Sequence, residues 1–181
     1  MVYVFLADGF EEIEAIGIID ILRRASLNVI TVGIGSKTVR GSHGIEVKAD
    51  VLADEASPDE GLEAVVLPGG MPGTVNLDKS VKVHEFLDYA VKSGKLCAAI
   101  CAAPSVLGHH GILEGREATC YPGFENELNG ARLSGKYVVQ SSNVITGRGP
   151  GVTTDFALKV VEYLTNGEKA ENIRKGMQCR R

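Results

Sequence analysis

The sequence predicts a flavodoxin-like three-layer α/β/α sandwich with a mostly parallel central sheet. Short apolar runs alternate with amphipathic segments along the whole chain. Strands of a parallel sheet are apolar throughout, because helices cover both faces of the sheet. One apolar run ends in Cys101 and is followed by small residues, which is typical of a nucleophile elbow, the sharp turn between a strand and a helix.

The elements follow from the apolar periodicity. Buried strands are predicted over residues 2–7, 28–34, 63–67, 95–100 and 143–147. Helices are predicted over residues 11–25, 81–92, 153–164 and 168–177. A hairpin over 38–49 is expected at the sheet margin, and short elements around 118–121 and 137–140. No linker or repeat divides the chain, so residues 1–181 are expected to form one domain.

Local residues justify the boundaries of several elements. In helix 11–25, Ile13, Ile16, Ile19 and Leu22 have helical spacing, and basic residues near the end complement the helix dipole. Within the hairpin, residues 41–44 read Gly-Ser-His-Gly, which is typical of a turn. Strand 63–67 ends at a Pro-Gly-Gly sequence, and helix 81–92 ends shortly before a glycine.

Composition excludes several classes of function. A formal net charge of −4 gives no electrostatic reason to bind nucleic acid or an anionic membrane. The apolar start lacks a basic region and meets Asp8 at once, so we expect a first strand and a cytoplasmic protein. The four cysteines form neither a C-x-x-C motif nor a zinc-finger pattern, so reduced thiols without a metal are expected. No phosphate-binding or dinucleotide-binding motif is present, and no cofactor is expected.

Four segments are expected to meet at one edge of the sheet. They are residues 8–14, Pro68-Gly69-Gly70, Cys101-Ala102-Ala103 and residues 147–151. Ligands of open parallel sheets bind at the carboxyl ends of the strands, where all four would lie. This convergence predicts the functional site more strongly than any single motif.

The chemistry expected at this edge is that of a thiol. The helix after Cys101 would stabilise a thiolate, so we expect a thiol more acidic than free cysteine. The backbone N–H groups of Gly69, Gly70 and Ala102 are expected to form an oxyanion hole beside it. The alternative is that Pro-Gly-Gly only ends a strand.

Glu14 is the candidate acid or base. A carboxyl group held beside Cys101 can donate a hydrogen bond to the thiolate and later carry a proton. The alternative is that Glu11, Glu12 and Glu14 only favour the dipole at the start of a helix. Neighbouring side chains on a helix diverge, so the sequence pair His109-His110 is a poor chelate and is better explained by a helix end.

Four ordered motifs together resemble the ThiJ/PfpI superfamily, and within it the clade of the parkinsonism-associated protein deglycase. They are residues 10–14 (Phe-Glu-Glu-Ile-Glu), 67–70 (Leu-Pro-Gly-Gly), 98–104 (Ala-Ala-Ile-Cys-Ala-Ala-Pro) and 148–151 (Arg-Gly-Pro-Gly). The resemblance spans nearly the whole chain. It implies a flavodoxin-like fold, a homodimer, a nucleophilic and oxidation-prone Cys101, and Glu14 as its protonating partner.

The resemblance also implies roles for other residues. Gly70 and Ala102 would supply backbone donors, and Arg24 and Arg148 would line the site and its surroundings. Two positions depart from the pattern. Tyr121 stands where many members carry a histidine, and a phenol is a poor base near neutrality, since its reference pKa is about 10. His43 stands where an arginine often follows the hairpin serine.

Two functions remain open from the sequence. The first is a cysteine-dependent, glutathione-independent glyoxalase that acts on methylglyoxal-type dicarbonyls, or a protein deglycase that removes their early adducts, with Tyr121 as a third catalytic candidate. The second is a redox sensor or stress-protective protein that works through oxidation of Cys101. Protease-like members have a histidine directly after the cysteine, and Ala102 at that position argues against peptidase activity.

Overall fold

The computed structural model of the protein describes residues 1–179. Its strands are β1 (Val2–Leu6), β2 (Val29–Gly33), β3 (Thr38–Arg40), β4 (Glu46–Lys48), β5 (Val51–Leu52), β6 (Ala64–Leu67), β7 (Leu96–Ile100), β8 (Glu117–Ala118), β9 (Arg132–Leu133), β10 (Val138–Ser141) and β11 (Val144–Gly147). Its α-helices are α1 (Glu12–Arg24), α2 (Gly73–Asp78), α3 (Val81–Lys92), α4 (Pro104–His109), α5 (Thr153–Leu164) and α6 (Gly167–Gly176). Short 3₁₀ turns cover Ala53–Glu55, Glu125–Glu127 and Pro150–Val152.

The central sheet has seven strands in the order β10-β11-β7-β6-β1-β2-β5. All neighbouring pairs are parallel except β10 with β11. The predicted fold class, a mostly parallel sheet between helices, is therefore confirmed. Within the sheet Ile100 lies opposite Gly147, and Leu67 lies opposite Ala99. This register brings the carboxyl ends of β6, β7 and β11 to one edge.

Two cores cover the two faces of the sheet. Along β1, Val2, Val4 and Leu6 pack in one core and Tyr3 and Phe5 in the other, as the two-residue period of a strand requires. Helices α1, α5 and α6 contribute to the first core, and α2, α3 and α4 contribute to the second. Because both faces of the sheet are covered, the residues of the central strands β1, β6 and β7 are all buried.

The buried face of α1 differs from the predicted one. Ala15, Ile18 and Leu22 are buried, whereas Ile13 and Ile16 are 63 % and 43 % exposed. Helix α1 packs against α5 and the sheet through the stripe that begins at Ala15, which turns Glu14 inward and the two isoleucines outward. The four residues with helical spacing, Ile13, Ile16, Ile19 and Leu22, therefore do not form one buried face, since only the last two are buried.

Several short elements were not predicted, or they pair differently from what the sequence predicts. The hairpin β3–β4 forms, but it is a separate two-stranded sheet and does not extend the central one. The short element near residue 118 is β8, which pairs in parallel with β9. Helix α2 and strand β5 have no counterpart in the predicted elements. Across residues 1–179, no helix has the length and apolarity needed to cross a bilayer.

Candidate active site

Cys101 lies on the turn between β7 and α4, as predicted for a nucleophile elbow. Its backbone is left-handed, with φ 65°, a conformation that costs a non-glycine residue free energy and needs support from its surroundings. That support comes from both sides. The N–H of Cys101 donates to the carbonyl of Gly147 over 2.9 Å, and its carbonyl accepts from the N–H of Tyr121 over 2.8 Å. The cysteine is 8 % exposed, which suits a small reactant.

Glu14 lies in the first turn of α1 and has no exposed surface. The N-cap of this helix is Glu11, whose carboxylate accepts from the N–H of Glu14 over 2.7 Å. Oε2 of Glu14 accepts from the N–H of Gly69 over 2.7 Å, and Oε1 has no well-aligned partner among residues 1–179. The carboxyl group also interacts with the thiol of Cys101. Glu14 is therefore aimed at the nucleophile.

Gly69 separates the carboxyl group from the cysteine. A Cβ at this position would lie 2.6 Å from Cβ of Cys101 and 2.8 Å from Oε2 of Glu14. Both distances are too short for a side chain, so only glycine permits the carboxyl group and the thiol to approach each other here. The Pro-Gly-Gly sequence therefore does more than end β6.

The predicted set of backbone donors needs one correction. The N–H groups of Ala102 and Gly70 point at the sulfur of Cys101 and favour its thiolate. The N–H of Gly69 does not join them, because it is bonded to Glu14. Gly70 has φ 94°, and a Cβ there would collide with the backbone at Glu11. The candidate oxyanion hole thus consists of Gly70 and Ala102.

The thiol and the carboxyl group hold protons as a pair. Burial raises the pKa of Glu14 to about 7, against the hydrogen bonds that stabilise its carboxylate. Burial, followed by the charge of Glu14, raises the pKa of the Cys101 thiol to about 12. While Glu14 is a carboxylate, the pKa of the Cys101 thiol thus lies above that of free cysteine. The expectation of a thiol more acidic than free cysteine is therefore wrong for this state. The pair loses its first proton near pH 7, and the thiolate forms when the remaining proton passes from the sulfur of Cys101 to the carboxylate of Glu14.

Tyr121 and Arg148 lie beside the elbow and line one cavity. Its volume is about 300 Å³, and its other walls are Tyr137 and residues 149–152 with Pro122. The guanidinium group of Arg148 stacks on the ring of Tyr137 at 5.5 Å. Tyr121 contacts Cys101 through its backbone N–H, while its side chain is part of the cavity wall. The side chains of Tyr121 and Arg148 therefore line one cavity beside the elbow.

Arg24 is not at this site. It is the last residue of α1, ten residues after Glu14, which corresponds to about 15 Å along a helix. Its guanidinium group pairs with Asp20 over 2.7 Å, and both side chains are half exposed. The prediction that Arg24 lines the site is not supported within the single chain, because the helix carries it away from the carboxyl edge of the sheet.

Glu12 and His43 join the start of α1 to the hairpin. The Glu12 carboxylate accepts from Nδ1 of His43 over 2.9 Å and from its backbone N–H over 2.6 Å. Burial opposes ionisation of Glu12, but its hydrogen bonds with His43 and the N–H of Ile45 lower its pKa to about 2. Together with Glu11, these side chains place possible metal ligands within 4.8 Å of one another. Their hydrogen bonds account for the group as an anchor of the hairpin.

Two contacts that were not predicted hold the backbone of the donor residues Gly70 and Ala102 in place. The carbonyl of Gly70 accepts from the N–H of Thr74 over 2.9 Å, and the carbonyl of Ala102 accepts from Oγ of Ser105 over 2.7 Å. Thr74 belongs to α2, which was not predicted, so no pattern in the sequence indicated it. The fold and the site together define a cysteine-centred α/β protein with a nucleophile elbow.

Comparisons with known proteins agree with this class. Residues 1–163 match the DJ-1/PfpI family, and the chain belongs to that family. It is 39 % identical to Protein dj-1beta of Drosophila melanogaster over 177 residues, which cover 96 % of this chain and 94 % of the relative. It is 36 % identical over 167 residues to the glutathione-independent glyoxalase DJR-1.2 of Caenorhabditis elegans, covering 91 % and 88 % of the two chains. The structure of oxidized Toxoplasma gondii DJ-1 superposes with a TM-score of 0.93 at 38 % identity, covering 98 % and 97 %.

Proposed function

We propose that the protein is a glutathione-independent glyoxalase that uses Cys101 to convert methylglyoxal to lactate. The observation that carries this proposal is the pair formed by Cys101 and a wholly buried Glu14 with a pKa near 7. A general acid or base works best when its pKa lies near the operating pH. The similarity to a relative named as a glyoxalase supports the same reaction class.

The first step forms a bond between sulfur and carbon. The Cys101 thiolate attacks the aldehyde carbon of methylglyoxal, and the carbonyl electron pair moves onto oxygen. The N–H groups of Gly70 and Ala102 point at the sulfur, so they are close to the oxyanion that forms on the attacked carbon. The proton of Glu14 then neutralises the oxyanion and gives a hemithioacetal.

The second step moves a proton between two carbons. The Glu14 carboxylate removes the proton from the carbon bonded to sulfur and returns it to the neighbouring carbon. The hydroxyl proton passes from the oxygen on the first carbon to the oxygen on the second, which leaves a thioester of lactate on Cys101. Water then hydrolyses the thioester, so methylglyoxal and one water yield lactate and the free thiol. Burial of Glu14 matters in this step, because bulk water would compete for the proton.

The test is lactate formation from methylglyoxal without glutathione. We expect turnover by the wild type and by Cys120→Ser, the matched control that changes another buried thiol. Cys101→Ser is expected to abolish turnover, and Glu14→Gln to lower it by at least about 100-fold, the usual contribution of a positioned acid or base. Turnover retained by Cys101→Ser would contradict the mechanism. The same thiol would act on early dicarbonyl adducts of amines, which makes deglycase activity the extension to assay next.

A second candidate function is redox sensing through Cys101. Two molecules of peroxide would convert the thiolate to a sulfinate and release two molecules of water. The N–H groups of Gly70 and Ala102 and a protonated Glu14 are the donors that a sulfinate requires. Peptide mass spectrometry after mild peroxide should find two added oxygen atoms mainly on Cys101. Equal oxidation of Cys97, Cys101 and Cys120 would count against this function.

We further propose that the protein forms a homodimer through the outer face of α1. Ile13, Ile16 and Ile45 are large apolar side chains with 63 %, 43 % and 57 % exposure. Ile13 and Ile16 lie on one face of α1, and the hairpin that carries Ile45 is joined to the start of this helix, because the backbone N–H of Ile45 donates to the carboxylate of Glu12. Light scattering should give twice the chain mass for the wild type and a monomer for Ile13→Glu/Ile16→Glu. A monomeric wild type would contradict the proposal.

A further inference from the structure

Two histidines from different helices meet nitrogen to nitrogen and have no role in the proposed reaction. His84 lies in α3, and His110 is the C-cap residue of α4. Their Nδ1 atoms are 2.9 Å apart, their ring centroids are 5.0 Å apart, and their ring planes differ by 23°. The two nitrogens therefore lie between the rings, at the distance of a hydrogen bond. This histidine pair joins α3 to the end of the helix that follows Cys101.

The partners of the other two ring nitrogens determine how many protons the pair holds. Nε2 of His84 is hydrogen-bonded to the backbone carbonyl of Asp78, and Nε2 of His110 lies 3.0 Å from a carboxylate oxygen of Asp88. Carbonyl and carboxylate oxygens only accept hydrogen bonds, so both Nε2 atoms carry hydrogen. A hydrogen bond between the two Nδ1 atoms needs one further hydrogen, on one of them. That ring is an imidazolium and its partner is neutral, so the pair carries one positive charge.

Charged groups surround the histidine pair on each of the elements that meet there. They are Asp78 and Lys79 at the end of α2, Asp88 and the ion pair Lys82–Glu85 on α3, His109 on α4, and Glu127 in a 3₁₀ turn. The two ring nitrogens of His109 each lie 2.9 Å from a carboxylate, one of Asp78 and one of Glu127. These hydrogen bonds, the one with Glu127 first, raise the pKa of His109, which stays charged from neutral pH into mild acid.

We propose that His84 and His110 form a pH-sensitive contact, which holds one proton at neutral pH and opens when the pair takes up a second proton in mild acid. A second proton puts an N–H group on both Nδ1 atoms, so the hydrogen bond between them is lost and two positive rings face each other. The rings then separate, because neither nitrogen can accept. The Asp88 carboxylate balances part of the added charge. Histidine has a reference pKa of about 6.5, so the change is expected between about pH 7 and pH 5.

The opening is expected to be local. Helix α4 begins at Pro104, three residues after Cys101, and the histidine pair fixes its far end to α3. His109 fixes the same end to α2 and to the 3₁₀ turn, and these bonds persist because His109 is charged throughout. A second proton on the pair therefore frees the end of α4 from α3 alone. Local openings of this kind cost less free energy than unfolding of the whole protein.

The test is NMR of the full-length protein at about pH 7.5 and about pH 5, on either side of the reference pKa of histidine. Nitrogen spectra of the rings should show a coupling between the Nδ1 nuclei of His84 and His110 at the higher pH, and none at the lower. The amides of His110 and Gly111 donate to Val106 and Gly108. Their hydrogen-exchange protection, corrected for the intrinsic effect of pH, should fall at least about tenfold in acid, the equivalent of about 1.4 kcal/mol. Amides in the middle of α5 should keep their protection.

Three variants assign the response to the histidine pair. His84→Gln and His110→Gln each replace a ring with an amide that can bond but takes up no proton in this range. In both, the protection of Gly111 should differ less than about twofold between the two pH values, while the melting temperature shows a folded protein. The matched control is His43→Gln, which removes a histidine bonded to Glu12 on the hairpin. It should keep the tenfold response of the wild type.

Each outcome decides for or against the histidine pair. Absence of the nitrogen coupling at about pH 7.5, equal protection at the two pH values in the wild type, or an acid response that persists in His84→Gln would each overturn the proposal. Loss of the response in both variants of the pair, with His43→Gln unchanged, would establish it. The measurements follow protons and amides without turnover, so they are independent of whether Cys101 converts methylglyoxal.

Discussion

The N–H of Gly69 donates to Oε2 of Glu14 over 2.7 Å, and a Cβ on the same glycine would touch both that oxygen and Cβ of Cys101. One residue thus orients the carboxyl group by its backbone and admits the thiol by its lack of a side chain. The distance between acid and nucleophile is set by a glycine that takes no part in the chemistry.

Gly69→Ala should therefore impair both folding and turnover. The added methyl group meets Cβ of Cys101 at 2.6 Å, and overpacking of this kind costs about 1–3 kcal/mol of unfolding free energy. Methylglyoxal turnover is expected to fall at least about tenfold, because displacement of a catalytic group by 1 Å can cost more than that. Urea denaturation and lactate assays measure the two effects. In the matched control Gly176→Ala, the new Cβ has no neighbour within 4 Å, and both quantities should be preserved.

The stability of the protein should fall between about pH 4.5 and pH 7 because of Glu14. Its pKa rises from 4.5 to about 7 on folding. Across this range the unfolded carboxyl group ionises while the folded one stays protonated, so the unfolded state gains about 3 kcal/mol. Below the range both states are protonated, and above it both are ionised. Urea unfolding at several pH values should show this decrease in the wild type. Glu14→Gln should remove that part of the slope.

The reaction of Cys101 with iodoacetamide should show an inflection near pH 7. Loss of the first proton from the pair allows the thiolate to form beside a protonated Glu14, so the rate should rise up to that pH and then level off. Peptide-resolved mass spectrometry follows the site. Glu14→Gln leaves a single thiol without a proton acceptor, so the inflection near pH 7 should disappear. An unchanged pH profile in this variant would show that the two groups do not share a proton.

Tyr121→Phe should leave turnover within about threefold of the wild type. Tyr121 contacts Cys101 through its backbone N–H, and the substitution keeps this contact. The phenol ring is part of a cavity wall, and the residue is 47 % exposed. A side chain that carries a proton in the reaction contributes at least about 100-fold. A loss of that size in the lactate assay would restore Tyr121 to the catalytic role expected from the sequence.

Local patterns in the sequence were sufficient for the fold class and for the centre of the site. The elbow at Cys101 and the glycines after β6 can be identified from their residue types alone. The register of the parallel strands then brings them to one edge of the sheet. Glu14 follows the apolar Ile13 in the sequence, but its burial comes from the stripe of α1 that begins at Ala15, which the spacing did not identify. These predictions depend on contacts within one turn or one strand end, which composition and spacing can encode.

The errors concern distance along a helix and contacts far apart in sequence. Arg24 shares a helix with Glu14, and only the direction of that helix shows that it points away from the site. The exposure of Ile13 depends on which neighbour α1 packs against. The grouping of His109 with Asp78 and Glu127 joins three segments that no sequence pattern connects. The acidity of the thiol depends on burial and on a neighbouring charge, neither of which spacing reveals.

The backbone of Cys101 is pinned on both sides by Gly147 and Tyr121, through main-chain atoms alone. The shape of the elbow is therefore independent of the side chain it presents. A scaffold of this kind lets evolution exchange the reactive atom, or retune its neighbours, without rebuilding the frame that holds it. Diversification of such proteins is expected to proceed through the loops at this edge of the sheet, while the strands beneath them stay the same.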